Sequence, residues 1–378
     1  MTRGALDGVR VVELCQVMAG PFCGQVLGDM GADVIKVEPP GTGDQTRAGM
    51  GEHAFRAVNR NKRSIALDLK DAGDVATLHR LVATADVLTE NFRPGVAARL
   101  GADYETLREL DPRLIYASIS GFGQTGPYAM RPGFDLIAQG AAGVMSVTGE
   151  PGGNPVKAGV PVSDLSAGLF CAIGILSALH SRTTTGEGQR IDTSLWEGAL
   201  ALGIWETAEL WVTGKPPQPL GSAHRLTAPY QALRTKDGHI TVGGNNQKLW
   251  LRLCATIGRA DLPDDPRFAT NADRMANLPA LVDELEQALA GRTTAEWVDA
   301  LLEAGVPAGP ILDYAQVVAD PHTRAREMVV EMEHPEAGTV RALGIPVKLS
   351  ATPGTIRRPA PLLGQHSDEI RAELDADG

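Results

Sequence analysis

The chain has 378 residues, with 35 Lys and Arg against 46 Asp and Glu, a formal charge of −11. That balance excludes a broad basic face for nucleic acid, and the length suffices for one large or two ordinary domains with a sizeable core. Four cysteines (Cys15, Cys23, Cys171, Cys254) lack C-x-x-C spacing and read as buried free thiols in a reducing compartment, with no metal site. The start of the chain shows no basic-then-apolar signal pattern, and no apolar run reads as membrane-spanning, so a soluble cytoplasmic protein is expected.

Residues 9–14 (Val-Arg-Val-Val-Glu-Leu) read as a first strand, broken by Ala19-Gly20-Pro21. A helix is expected from Phe22 to Met30, ending at Gly31, and a buried strand over 33–38 stops at Pro39-Pro40-Gly41. This strand–helix–strand unit is the βαβ signature of a Rossmann-like sheet, but its first turn lacks G-x-G-x-x-G, so a dinucleotide cofactor is not indicated. The basic cluster Arg60-Asn61-Lys62-Arg63-Ser64 leads into a strand over 65–68. It reads either as a solvated loop or as a site for coenzyme phosphates. A helix over 75–85 and a strand over 85–89 follow, then the loop Glu90-Asn91-Phe92-Arg93-Pro94-Gly95. That loop falls at the carboxyl end of a parallel strand, where open α/β sheets bind ligands. A strand over 114–119 precedes the glycine-rich 121–127.

Gly159-Val160-Pro161-Val162-Ser163-Asp164 reads as extended chain running into a helix, with Leu165, Leu169, Phe170, Ile173, Leu176 and Leu179 on a helical period. Ser163 is the expected N-cap, with Asp164 in the first turn beside unpaired N–H groups. The helix dipole should then hold the Asp164 carboxyl at or below its ordinary pKa, leaving an ionised nucleophile. A strand over 189–195, a helix over 196–213 and a proline-rich linker follow. The expected division is a large domain over 1–200, a linker over 201–224, a small α+β domain over 225–316, and a return to the large domain over 317–378.

In their order along the chain, Val17-Met18-Ala19-Gly20-Pro21, Leu27 to Glu38, Asn59-Arg60-Asn61-Lys62-Arg63-Ser64, Glu90 to Gly95, Pro161-Val162-Ser163-Asp164 and Thr185-Gly186-Glu187-Gly188-Gln189 resemble the class III CoA-transferases. That family includes formyl-CoA transferase and the carnitine CoA-transferases (CaiB/BaiF type). The resemblance implies an α/β fold, with a Rossmann-like large domain from both chain ends, a smaller α+β middle domain, and an obligate interlocked homodimer. It implies acyl-CoA and carboxylic acid as substrates, succinyl-CoA or another dicarboxylate being common in the family, with no metal. Asp164 matches the aspartate that forms the covalent intermediate. Val17, Arg60, Lys62, Arg63, Leu67, Asn91, Phe92 and Arg99 match positions that bind coenzyme A. Gly243 and Gly244 open a segment, through Gln247, resembling the glycine loop that closes over the aspartate, although Asn245 and Asn246 replace glycines.

Two departures bear on chemistry. Met18 stands where formyl-CoA transferase has a glutamine near its oxalate site, which argues against oxalate. The same fold hosts α-methylacyl-CoA racemases, in which a histidine precedes the aspartate of the segment matching Pro132-Gly133-Phe134-Asp135. Phe134 takes that place here, and a phenyl ring cannot exchange a proton. A protein that only binds acyl-CoA is the remaining alternative.

Overall fold

The computed structural model describes residues 3–49 and 51–376. The chain divides into two units: one takes residues up to Met145, Lys157–Lys215 and Pro321 onward; the other takes Ser146–Val156 and Pro216–Asp320. The first unit holds a six-stranded sheet of β1 (Arg10–Leu14), β2 (Asp33–Glu38), β3 (Lys62–Ala66), β4 (Val87–Glu90), β5 (Ile115–Ser120) and β6 (Arg190–Ser194). Their order is β3-β2-β1-β4-β5-β6 and every pairing is parallel. This is a doubly wound sheet whose order reverses between β1 and β4, the place where such sheets open a crevice.

Side chains alternate across the sheet. Val11, Val34, Val87, Ile115 and Ala117 face one core with the Ala19–Asp29 and Val162–Thr185 helices. Val12, Ile35, Ile65, Leu88 and Tyr116 face another, shared with Leu78 and Leu81 of the Ala72–Val82 helix and Ile370 and Leu374 of the Ser367–Ala376 helix. Against the expectation of no membrane-spanning run, the helix from Val162 to Thr185 is long and apolar enough to cross a membrane by length and composition alone. It packs against the sheet and the Ala19–Asp29 helix, and Gly168 permits the approach, since a Cβ there would lie 2.6 Å from the Ala19 carbonyl.

Towards the carboxyl ends of the strands the first face turns from apolar to charged. Glu13 on β1 stands opposite Lys36 on β2, two residues beyond Val11 and Val34. Lys36 Nζ reaches Glu13 at 3.1 Å and Asp44 at 2.9 Å, and donates to the Cys15 carbonyl at 2.6 Å. Lys62 Nζ donates to both Glu13 oxygens at 2.9 and 2.8 Å, and to Pro21 O and Asn59 Oδ1. Glu38 takes Arg47 in a bidentate pair at 2.8 Å and the Ser64 hydroxyl at 2.7 Å. Glu13, Asp44 and Glu38 thus balance Lys36, Lys62 and Arg47. The helix backbone closes over this group at Gly24, where a Cβ would sit 1.9 Å from Glu13 Oε2.

These contacts overturn both sequence readings of the basic cluster. Lys62 and Arg63 lie on β3 itself, and Arg60, Lys62 and Arg63 are 3 %, 0 % and 3 % exposed. Arg60 forks onto Asp29 at 3.0 and 2.7 Å and donates to the Leu343 carbonyl. Arg63 bridges Asp33, Glu369 and Glu373, tying β3 to the last helix. Asn61, at φ 62°, accepts the Arg357 and Arg358 N–H groups through its side chain. The cluster is therefore an internal buckle that fastens the chain's return segment to the sheet. Its cations are spent on carboxylates and are not free for phosphates. A hairpin of β10 (Val329–His334) and β11 (Gly338–Leu343) in that return segment was not anticipated.

In the second unit, β7 (Tyr230–Arg234), β8 (His239–Gly243) and β9 (Ala308–Pro310) form an antiparallel sheet. Helices Gln247–Thr256, Leu278–Leu289 and Thr294–Glu303 cover it around Trp250, Leu253, Leu281, Leu285 and Leu301. In this unit too a buried cation is structural: Arg274 is fully buried and donates to the Ala228 and Phe268 carbonyls.

Lys62→Met should lower the unfolding free energy by about 3–5 kcal/mol, because Glu13 loses one of its two buried cations. Urea titration measures this; a change below about 1 kcal/mol would contradict a structural role for the cluster.

Candidate functional site

The crevice between β1 and β4 is built from loops whose backbones are held in place by side chains. After β1, Val17 adopts φ 69°, a left-handed conformation that a β-branched residue rarely takes. Its N–H is drawn to Asp44 at 3.2 and 3.3 Å, and Asp44 is in turn anchored by Lys36 and the Thr46 N–H and hydroxyl. Burial works to raise the Asp44 carboxyl, but Lys36 and these bonds hold it below the ordinary range. After β4, Asn91 clamps the first loop by accepting the Gln16 N–H at 2.9 Å and donating to its carbonyl at 2.7 Å. After β5, Gly121 and Gly133 touch so closely that a Cβ on Gly121 would lie 2.7 Å from Gly133 Cα. That contact brings Phe134 and Asp135 to the rim.

Asp164 closes the constellation. Its helix begins at Val162, with Pro161 before it and no side-chain cap, so Ser163 lies inside the helix and is not the expected N-cap. The cap comes from elsewhere in the chain. Asp135 Oδ1 accepts the Ser163 N–H at 2.9 Å, and its other oxygen takes Gln139 Nε2 at 2.7 Å. Asp164 itself is half-buried and has no hydrogen bond or ion pair among the described residues. Burial, then the Asp135 carboxylate, push its carboxyl up to about 7. The expectation of an ordinary or depressed value is thus reversed: Asp135 takes the nearest helix N–H and adds a like charge. At neutrality Asp164 is poised between its two forms, and its ionised form is poorly solvated, hence reactive.

A cleft of about 300 Å³ opens here. Val17, Asn91, Phe92 and Asp164 line it together, with Met18, Phe134 and Leu195 as apolar wall and Arg93 and Arg131 as cations. Leu67 is 1 % exposed, with its side chain in the core. Arg99 ends a short helix, Val96–Arg99, and does not line the cleft. Gly243 and Gly244 belong to the second unit, at the end of β8. Their N–H groups are taken by the carbonyls of Pro307 and Pro229, both at 2.8 Å, so neither is a free oxyanion donor. Asn246 of the same segment caps the next helix through Leu249 N. Sequence reasoning missed Asp135, Arg93 and Arg131 as site residues, although the Phe134-Asp135 pair had marked this segment.

Among known proteins, the model of CoA-transferase family III matches residues 6–367. An acetyl-CoA:oxalate CoA-transferase of Acetobacter aceti is 44 % identical over 99 % of this chain and 97 % of its own. A succinate–glutarate CoA-transferase of Agrobacterium fabrum is 42 % identical over 98 % and 96 %. A crystal structure of a CaiB/BaiF family protein from Brucella suis superposes with a TM-score of 0.89 at 41 % identity, covering 99 % of this chain and all of that one. With a family match spanning the crevice, the sheet and both units, the chain belongs to CoA-transferase family III, an enzyme family whose substrates are CoA thioesters.

Proposed function

We propose that the enzyme moves coenzyme A from an acyl-CoA to a carboxylic acid through covalent intermediates on Asp164. The observation that carries this is a poorly solvated carboxyl lining the crevice, with no side-chain hydrogen bond or ion pair among the described residues. An Asp164 oxygen attacks the thioester carbonyl, the C–S bond breaks, and a mixed anhydride and CoA thiolate result. The thiolate attacks the Asp164 carboxyl carbon, releasing the first acid and leaving an aspartyl thioester. The incoming carboxylate attacks that thioester, and the returning thiolate takes the new acyl group and restores Asp164. At each stage one carboxyl group, the acyl group or that of Asp164, stays activated as an anhydride or thioester, so water must be excluded. Phe134 at the rim, where an isomerase would need a proton carrier, favours transfer over racemisation.

Two features support dicarboxylic acids as partners. Relatives are named for succinate, glutarate, D-citramalate and mesaconate as well as oxalate. In the cleft, the exposed Arg93 and Arg131 carry no ion pair among the described residues, and Arg131 stacks on the Tyr128 ring at 3.6 Å. A free guanidinium facing a reacting carboxyl suits the distal carboxylate of such an acid. Met18, in the apolar wall, still favours an acid longer than oxalate.

The reading includes a homodimer. Leu169, Phe170, Ile173 and Leu176 form an exposed stripe on the Val162–Thr185 helix, and Ile204, Trp205, Trp211 and Val212 extend the apolar surface on the next segment. Such continuous apolar area marks a protein interface. The four buried free thiols suit a reducing, cytoplasmic setting.

Sedimentation at micromolar concentration should show a dimer; a monomer would remove the interlocked assembly. Purified enzyme incubated with succinyl-CoA and a panel of acids, oxalate included, should yield new CoA esters by mass spectrometry, with dicarboxylates preferred. Arg131→Gln should raise the KM for a dicarboxylate about tenfold or more while leaving a monocarboxylate near its starting value, the loss of one charge-assisted bond. Equal effects on both acids would assign Arg131 elsewhere.

Asp164→Asn should abolish transfer, and hydroxylamine should trap a hydroxamate on Asp164 in the wild type only. In the wild type, kcat/KM should climb with pH to a plateau above an apparent pKa of about 7. The same ionisation opposes folding: the raised native value leaves the penalty absent below the unfolded pKa of 3.8 and full above about 7. Asp164→Asn should therefore stabilise the fold by on the order of 2–4 kcal/mol at pH 8 and by almost nothing near pH 4. A flat rate profile between pH 5.5 and 8, or equal stabilisation at both pH values, would show that Asp164 titrates normally.

A further inference from the structure

The opposite face of the sheet has a polar end of its own. Register places Glu90 of β4 opposite Ser118 of β5, and Tyr116 of β5 opposite Arg190 of β6. These four side chains line a second cavity of about 180 Å³, which shares the Arg93–Pro94 wall with the Asp164 cleft but not its floor. At roughly 30 Å³ per water this is about six water volumes, room for a small organic molecule and too little for a nucleotide.

Its polar groups are incompletely satisfied. Glu90 is 3 % exposed and accepts one hydrogen bond, from the Phe92 N–H at 2.8 Å. The Ser118 hydroxyl, fully buried beside it, completes no hydrogen bond. Arg190, exposed at the cavity mouth, makes no ion pair or side-chain hydrogen bond among the described residues, and its charge acts on Glu90 and Asp192. A buried hydroxyl left in the state of Ser118 is uncommon and calls for a partner. The wall carries three carboxylates, Glu90, Asp103 and Glu105, against the cations Arg93 and Arg190. An occupant that carries both charges meets a complement on each side: a simple acid would set a like charge against Glu90, and a simple amine would make no use of Arg190. The edge-to-face pair of Tyr104 and Tyr116, centroids 5.8 Å apart, supplies an apolar surface for a short side chain.

We propose that this cavity binds a small zwitterion of the α-amino-acid class, with its carboxylate on Arg190 and its ammonium on Glu90 and Ser118. The assignment is independent of the transfer reaction. It is tested by isothermal titration of the full-length enzyme with uncharged L-amino acids from alanine to leucine, and with their amine-only and acid-only analogues. At least one amino acid should bind saturably, and both analogues of that compound should bind tenfold more weakly or worse. Arg190→Gln, at an exposed position, should weaken binding at least tenfold while leaving transfer without added amino acid unchanged. Glu90→Gln should weaken it similarly, provided its melting temperature matches the wild type. No saturable heat with any amino acid, acid-only analogues binding equally well, or undiminished affinity in Arg190→Gln would overturn the proposal.

Discussion

The contact on which the site depends is the one between Glu13 and two lysines. Glu13 lies under Gly24 of the first helix and receives Lys36 from β2 and Lys62 from β3. Lys36 then passes the constraint outward: it holds Asp44, and Asp44 holds the N–H of Val17 in a conformation that valine would not choose. A strained loop persists only where its surroundings over-determine it, and here the surroundings are a fully buried set of charges. Such a set costs desolvation, and its Coulomb gain only offsets that cost when every partner is present. What it provides is geometry. The first wall of the crevice is placed by the sheet's interior and not by the loop's own preferences.

The second wall obeys the opposite logic. Around Asp164 no ion pair forms among the described residues: the helix start is capped by Asp135, and Met18, Phe134 and Leu195 line the same cleft. Pairing thus holds Asp44 and Glu38 below the ordinary carboxylate range, while burial holds Asp164 above it. The two halves of the crevice are joined through Asn91, whose amide grips the backbone of the residue before Val17.

Much of this was legible in the residues. The strand over 33–38 is found where its apolar residues and the following prolines put it, and the βαβ order led correctly to a parallel sheet with its crevice beyond the strand ends. The position of Asp164 in the first turn of an apolar helix was also readable, because helical periodicity is strong there. Its raised pKa was not, since burial, the main cause, is set by the fold, and the second cause, Asp135, lies 29 positions earlier with no local pattern tying the two together. The basic cluster failed for a related reason. From sequence, Arg60, Lys62 and Arg63 look like a solvent-facing patch; their carboxylate partners come from positions 13, 29, 33 and 369–373, which only the fold assembles. The helix expected over 196–213 is broken at Leu202-Gly203 into Leu195–Ala201 and Ile204–Thr213, a single glycine prevailing over a continuous apolar pattern.

The internal balance of that six-member charge network has a consequence for encounter. Because its cations and anions cancel, the network projects almost no field, and the surplus of −11 resides in the rest of the molecule. Acyl-CoA, an anionic substrate of the family, then approaches a chain of net negative charge, and attraction is left to the few unspent guanidinium groups. Added salt, which ordinarily slows the capture of charged ligands by oppositely charged enzymes, shortens the reach of this repulsion to a Debye length of about 8 Å at physiological strength. Substrate capture should therefore weaken in dilute buffer and recover as salt is added, an inversion of electrostatic steering that follows from burying the positive charge.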